Sequence, residues 1–302
     1  MEKVRQRIID LHVHSNCSDG IKTPAELIDM AVNNGVEAIA IADHDTVAAY
    51  TPQLYYYAKS RGVKLITAVE VSTKLDGEIG IHILGYNFDI NNKELLDMLY
   101  HSLNSRHIYL VMVVEALNKL GYVVNVAKLD KIDAVTKAHI ALDVISNPAN
   151  MNLLKEYFGH IPSKGEFIET VMNKDCPAYV LKPSITPQYA SEVIKKAGGK
   201  VVIAHPVAYV HEDALKEKDI VNLIETIQPF GLEANYIYID KNNNIIDECP
   251  RWRDVANKHN LIATIGSDYH TTDGIRPEIG LINTDLRLKN EEIESLLSKL
   301  CN

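Results

Sequence analysis

The sequence predicts an α/β barrel interrupted by a mainly helical insertion, and three observations carry that prediction. Short apolar segments alternate with helical patterns over residues 1–100, and the alternation returns over 187–302. Between them the pattern lapses into helical stretches punctuated by Gly and Pro. Strand, loop and helix alternating at this spacing indicate parallel βα units. The expected organisation is a discontinuous barrel of residues 1–100 and 187–302, with 101–186 inserted as a helical subdomain.

The first strand, residues 8–14, reads Ile-Ile-Asp-Leu-His-Val-His. Alternate side chains of a strand share a face, so His12 and His14 are expected to project together while Leu11 and Val13 face the other way. Two imidazoles aimed one way at a strand end suit a pair of metal ligands. A loop of turn formers over 15–20 leads to Thr23-Pro24-Ala-Glu26, a capping-box signature for a helix that ends at Asn34-Gly35. A second strand, 36–42, runs into Asp43-His44-Asp45. After a Tyr- and Ala-rich helix closing near Arg61-Gly62, a third strand, 63–71, carries Glu70 at its end, and a fourth, 79–88, carries His82.

The rhythm then changes. Residues 91–120 read as one long helix closed by Gly121-Tyr122, and short helical patterns fill 123–187. The alternation resumes with a helix over 187–198 and a strand over 200–204 ending in His205-Pro206. Gly231-Leu-Glu233-Ala is the next strand, followed by a helix around 253–259. The strand over 261–265 ends in Gly-Ser-Asp268-Tyr-His270, and an amphipathic helix over 290–300 closes the chain.

Hydrophobic residues at 46% and charged residues at 24% are ordinary for a globular enzyme. Lys plus Arg number 31 against 40 Asp plus Glu, a net charge of −9. That balance argues against a protein that coats duplex nucleic acid, which needs a basic face. It leaves room for an anionic substrate in a locally positive pocket. The four cysteines form no Cys-x-x-Cys pair, which points away from disulfides and thiolate zinc sites. The first residues carry no apolar signal core and no apolar run reaches membrane-spanning length, so a reduced, cytoplasmic protein without a membrane partner is expected.

The polar residues at the predicted strand ends form a constellation: His12, His14, Asp19, His44, Glu70, His82, His205, Asp268 and His270. In an α/β barrel these ends converge on one face, where active sites are built. Six histidines and three carboxylates can serve two or three divalent ions such as manganese, zinc or iron. Each alone has a bland explanation, a cap, a turn or a satisfied core histidine. Chance does not readily end so many strands in metal-type ligands.

These motifs resemble those of the PHP (polymerase and histidinol phosphatase) family of metal-dependent phosphoesterases. The resemblance rests on Asp10-Leu-His12-Val-His14-Ser15, Ser18-Asp19-Gly20, Asp43-His44-Asp45, Glu70, His82-Ile-Leu-Gly-Tyr86, Ala204-His205-Pro206 and Gly266-Ser-Asp268-Tyr-His270. It implies a distorted seven-stranded β/α barrel with a trinuclear metal centre at the strand C-termini. One ion would be held by His12, His14, Glu70 and Asp268, and a second by Glu70 as a bridge with His82 and His205. The third would take Asp19, His44 and His270, with Asp10 and Asp43 orienting imidazoles or backbone.

The insertion resembles that of the branch acting on nucleotides and short RNA, and would cover the active site. Arg106, Lys137 and His139 are its phosphate-binding candidates, although that branch commonly has arginine where Lys137 stands and proline where Ala138 stands. Three divalent ions less the carboxylates Asp19, Glu70 and Asp268 would leave the site at roughly +3. A hydroxide bridging the metals, held through Glu70, would attack phosphorus in line, with His211, His139 or a metal-bound water as candidate leaving-group acid. The expected activity is a 3′-phosphatase on 3′,5′-bisphosphate nucleosides, a 5′-3′ exonuclease on short oligoribonucleotides, or both. The alternatives are a histidinol-phosphate phosphatase and a non-catalytic, metal-stabilised binding domain.

Overall fold

The computed structural model describes residues 6–76, 79–130, 136–181, 183–212, 215–240, 242–283 and 288–301. These residues include nine strands: β1 (Ile9–Val13), β2 (Ala38–Ile41), β3 (Lys64–Leu75), β4 (Ile79–Tyr86), β5 (Lys200–Ile203), β6 (Gly231–Asn235), β7 (Tyr238–Ile239), β8 (Ile245–Ile246) and β9 (Ile262–Ile265). Seven make one sheet in the order β1-β2-β3-β4-β5-β6-β9, and β7 pairs with β8 as a separate ribbon. The sheet's two ends meet. Val13 bridges Tyr269 in parallel, His14 N–H donates to the Tyr269 carbonyl at 2.8 Å, and Asp268 N–H donates to the His12 carbonyl at 2.8 Å. The seven-stranded barrel is nearly closed, as expected.

Its distortion lies at β4. That strand is antiparallel to both β3 and β5, whereas the other pairs are parallel. The uniform βα reading of the sequence is corrected here. Only three residues separate Leu75 from Ile79, and a parallel connection needs a crossover of a dozen or more. Glu70 therefore sits in mid-strand and His82 in the first half of β4, opposite Ser72.

The first face assignment is corrected too. Leu11 packs with Ile9, Ala38, Ala40 and Leu84, but Val13 packs with Leu27, Ile28 and Ile41. The β1–β2 register shifts between Asp10 and Val13. Such a bulge breaks strict alternation and re-aims the side chains beside it.

Helices α1 (Pro24–Asn33) and α2 (Pro52–Ser60) follow β1 and β2 in the chain, and α3 (Lys93–Leu103) follows β4. The Thr23–Glu26 capping box forms as read, a device worth about 1 kcal/mol. The single long helix expected over 91–120 is two, because Asn104 interrupts α3 before α4 (Ser105–Lys119). The chain divides into two compact units, residues 1–102 with 185–302, and Leu103–Ser184. The second unit contains α4, α5 (Val126–Leu129), α6 (Lys137–Ser146), α7 (Met151–Phe158) and α8 (Lys164–Phe167). It encloses its own core of Leu110, Val113, Leu117, Ile140, Val144 and Phe167.

The barrel unit resumes with α9 (Pro187–Lys196), α10 (Pro206–Glu212), α11 (Glu217–Ile227), α12 (Cys249–Lys258) and α13 (Asn290–Cys301). Helix α11 and the β7–β8 ribbon were not anticipated. The ribbon's strands are two residues each, too short to show a period.

Candidate metal centre

The chain just past β1 turns back on itself because Gly20 lies against the His14 carbonyl, where a Cβ would collide. Asp43 holds this loop, accepting from Ser15 N–H at 2.7 Å, Ser15 Oγ at 2.6 Å and Ser18 Oγ at 2.7 Å. Asp10 does the same from the other side, accepting backbone N–H groups of His12, Ser267 and Gly280. Both carboxylates orient backbone around the centre. Gly266 is equally constrained, since a Cβ there would run into His12 and the Glu233 carboxylate.

His205 and Asp268, just past β5 and β9, have φ of 21° and 53°. A non-glycine backbone in this region costs of order 1–3 kcal/mol and persists at functional sites where surrounding contacts over-determine it.

Glu70 is the hub. Its Oε1 lies 3.0 Å from His82 Nδ1 and 3.0 Å from His205 Nε2. Its Oε2 lies 3.2 Å from His12 Nε2, 3.2 Å from His14 Nε2 and 3.3 Å from His44 Nδ1. One buried carboxylate thus faces five imidazoles, two on one oxygen and three on the other. Asp268 Oδ1 adds contacts to His14 Nε2 at 3.2 Å and His12 Nε2 at 3.5 Å. Asp19 lies 3.3 Å from His270 Nε2, 3.4 Å from His14 Nδ1 and 3.7 Å from His44 Nε2.

Three groups have donor atoms all within 4.8 Å of one another: His12, His14, Glu70, Asp268; His14, Asp19, His44, His270; and His44, Glu70, His82. The nine residues singled out in the sequence all lie in this cluster. The grouping differs in detail from the expected ligand sets: His44 joins Glu70 and His82, and His14 joins the Asp19 group. His205 reaches the cluster through Glu70 Oε1.

The donor set fits divalent cations. His12 Nε2 and His14 Nε2 face each other at 3.1 Å, and the buried Nδ1 atoms of His14, His44 and His205 make no hydrogen bond. Lone pairs gathered so closely, with carboxylates among them, are what cation ligands present. Electrostatics agree. Burial alone would raise the Glu70 carboxyl, but the His12, His44 and His82 imidazoles hold it well below the carboxylate range. Burial lowers the His14 imidazole, and Asp268 and Glu70 outweigh it, raising the pKa to about 9. At His44 burial prevails and the pKa falls to about 4.

The barrel brings a tenth residue, marked by no motif, to the cluster. Glu233 on β6 is 1% exposed, and its Oε1 lies 3.0 Å from His12 Nδ1. Its Oε2 accepts the His205 backbone N–H at 2.8 Å. The one available signal was an acidic residue inside an otherwise apolar strand.

His211 is absent from the lining of the cavity above the cluster. Its Nε2 lies 3.2 Å from Glu248 Oε1, and its ring stacks on Tyr238. In the Leu103–Ser184 unit, Lys137 Nζ donates to Asn173 Oδ1 at 3.2 Å and lies 5.8 Å from the Tyr179 ring centre. His139 Nδ1 accepts the Thr136 N–H at 3.2 Å. Arg106 is on α4, and its side chain lies outside the described residues.

A nearly closed α/β barrel with this cluster defines a metal-type hydrolytic enzyme. The PHP domain model matches residues 10–179, and the chain belongs to that family. It is similar to a 5′-3′ exoribonuclease of Haemophilus influenzae, 30% identical over 264 residues, spanning 86% of this chain and 89% of that protein. A 3′,5′-nucleoside bisphosphate phosphatase of Chromobacterium violaceum is 27% identical, covering 87% of each chain. The crystal structure of a protein described as a metal-dependent phosphoesterase from Bifidobacterium adolescentis shares the fold, with a TM-score of 0.61, 22% identity, and coverage of 97% of this chain and 96% of that one. Family and relatives place this chain among the hydrolases of phosphate esters. Among the described residues no helix is long and apolar enough to cross a membrane.

Proposed function

We propose that this chain is a cytoplasmic nucleotide phosphoesterase that removes the 3′-phosphate of 3′,5′-bisphosphate nucleosides and shortens small oligoribonucleotides from the 5′ end. The observation that carries the reading is Glu70 dividing its two oxygens between separate sets of imidazoles, the arrangement of a carboxylate shared by neighbouring cations. The exoribonuclease and bisphosphate phosphatase activities named for the relatives support the substrate class.

Three divalent ions, manganese, zinc or iron, would be held by His12, His14, Glu70 and Asp268, by Glu70 with His82, His205 and His44, and by Asp19, His44, His14 and His270. Such ions supply a water-derived nucleophile near neutral pH and polarise phosphate oxygens. The chain's own groups prepare that chemistry. Glu233 accepts from His12 Nδ1–H, leaving the Nε2 lone pair free to face Glu70 and Asp268. The Tyr236 hydroxyl donates to Asp268 Oδ2 at 3.3 Å and orients that carboxylate. Burial holds the Tyr236 phenol protonated far above neutral pH. Arg106, Lys137 and His139 are assigned to phosphate oxygens.

The test is phosphate release by metal-loaded protein from 3′,5′-bisphosphate nucleosides, 5′-mononucleotides, di- to pentaribonucleotides and histidinol phosphate, with Asp268→Ala as control. Release from the bisphosphate or the oligonucleotides that vanishes in the control supports the reading. A preference for histidinol phosphate moves the chain to that activity, and silence across the panel with metals bound favours a binding domain.

A further inference from the structure

A cavity of about 220 Å³ lies over the metal-type cluster, and its lining includes Glu70, His82 and Asp268 together with Tyr236, Tyr238 and Arg276. A second cavity, about 670 Å³, shares Glu212, Tyr238, Ile239 and Arg276 with the first. Arg276 thus stands on the wall common to both. Among the described residues lining either cavity it is the one with a permanent positive charge.

The loop that bears it is built. Asp273 Oδ1 accepts the N–H groups of Ile275 and Arg276 at 2.8 and 2.9 Å, fixing the turn. The guanidinium itself is loosely held: its Nε lies 3.9 Å from Asp273 Oδ2, beyond hydrogen-bond reach. About half the side chain is exposed. One oxygen of the nearby Glu212 carboxylate, Oε1, accepts from the Tyr238 hydroxyl at 2.8 Å. A planar guanidinium whose fork makes no hydrogen bond among the described residues suits a phosphate bidentately, and the tyrosines in the same lining suit the flat base or sugar of a nucleotide.

We propose that Arg276 is a specificity-determining residue that binds a second, non-scissile phosphate while the scissile one occupies the metal-type cluster. This rests on the nucleotide phosphoesterase reading above. It narrows the substrate class to esters bearing two phosphates, on one nucleoside or on successive nucleotides. The selectivity resides in the barrel's own loop after β9.

The experiment compares adenosine 3′,5′-bisphosphate with adenosine 3′-monophosphate, using metal-loaded wild type, Arg276→Ala and Arg276→Lys. Wild type prefers the bisphosphate. In Arg276→Ala the ratio of kcat/KM values, bisphosphate over monophosphate, falls by about 10- to 100-fold, the effect of losing a charged hydrogen-bond partner. The loss falls mainly on KM, and Arg276→Lys regains part of it as a point charge. An unchanged ratio, or an equal loss on both substrates, overturns the assignment of Arg276 while leaving the phosphatase reading intact. Wild type that releases phosphate from neither substrate overturns both.

Discussion

His12 Nδ1 and Glu233 Oε1 lie 3.0 Å apart with both side chains fully buried. The same carboxylate also accepts the His205 backbone N–H. One residue therefore sets the ring orientation of the first histidine and the strained backbone of another. Loss of such an outer partner typically costs 10- to 100-fold in metal affinity. Glu233→Gln is expected to show a loss of that size in chelator competition while the fold is retained. Affinity equal to wild type would mean that Glu233 is there for packing.

Metal uptake is expected to expel protons. With no cation bound, Asp268 and Glu70 raise the His14 pKa to about 9 despite burial, so at neutral pH the imidazole carries a proton that a cation must displace. Lowering pH favours the protonated ring and weakens binding; raising it through 9 removes the competition. Calorimetry in buffers of different ionisation enthalpy should therefore report proton release at pH 7, with affinity higher at pH 8 than at pH 6. Uptake without proton release would contradict the assignment of His14 as a ligand.

Asp10 touches no proposed ligand atom, yet its replacement should cost stability. Its two oxygens accept three buried backbone N–H groups, which tie β1 to the segments bearing Ser267 and Gly280. Asp10→Asn turns an amide donor toward at least one of them, leaving it unsatisfied at about 1–3 kcal/mol. A thermal midpoint lower by roughly 2–5 °C is expected in the metal-free protein. A midpoint within error of wild type would show that the barrel seam closes without this carboxylate.

Lys137 is a test of the inserted unit. Its ammonium is shared between Asn173 and the Tyr179 ring. As a phosphate-binding group it should be worth about tenfold in kcat/KM on nucleotides, with Lys137→Arg equal to or better than wild type because of the guanidinium fork. Equal activity in Lys137→Ala would remove it from the substrate's reach.

What could be read from the sequence was local chemistry. The nine candidate ligands, the Thr23–Glu26 cap and the order of strands around the insertion depend on residue type and near spacing, so His12-Val-His14 and Asp268-Tyr-His270 announce themselves. Pairing direction, register and cavity walls are non-local. A three-residue link at Leu75–Ile79 reverses β4 and carries His82 into the cluster from the opposite sense. A register shift in β1 separates Leu11 from Val13, which simple alternation had put together. Glu233 looked like one acid in an apolar strand until the closing of the barrel set it against His12, 221 residues earlier in the chain. Arg276 belongs to none of the sequence motifs, and it is the fold that places it on the wall of two cavities. The chain carries its candidate ligands in its local motifs, but only the folded barrel determines which groups hold those side chains in place and which charge lines the cavity above them, because those contacts join residues that spacing along the chain does not relate.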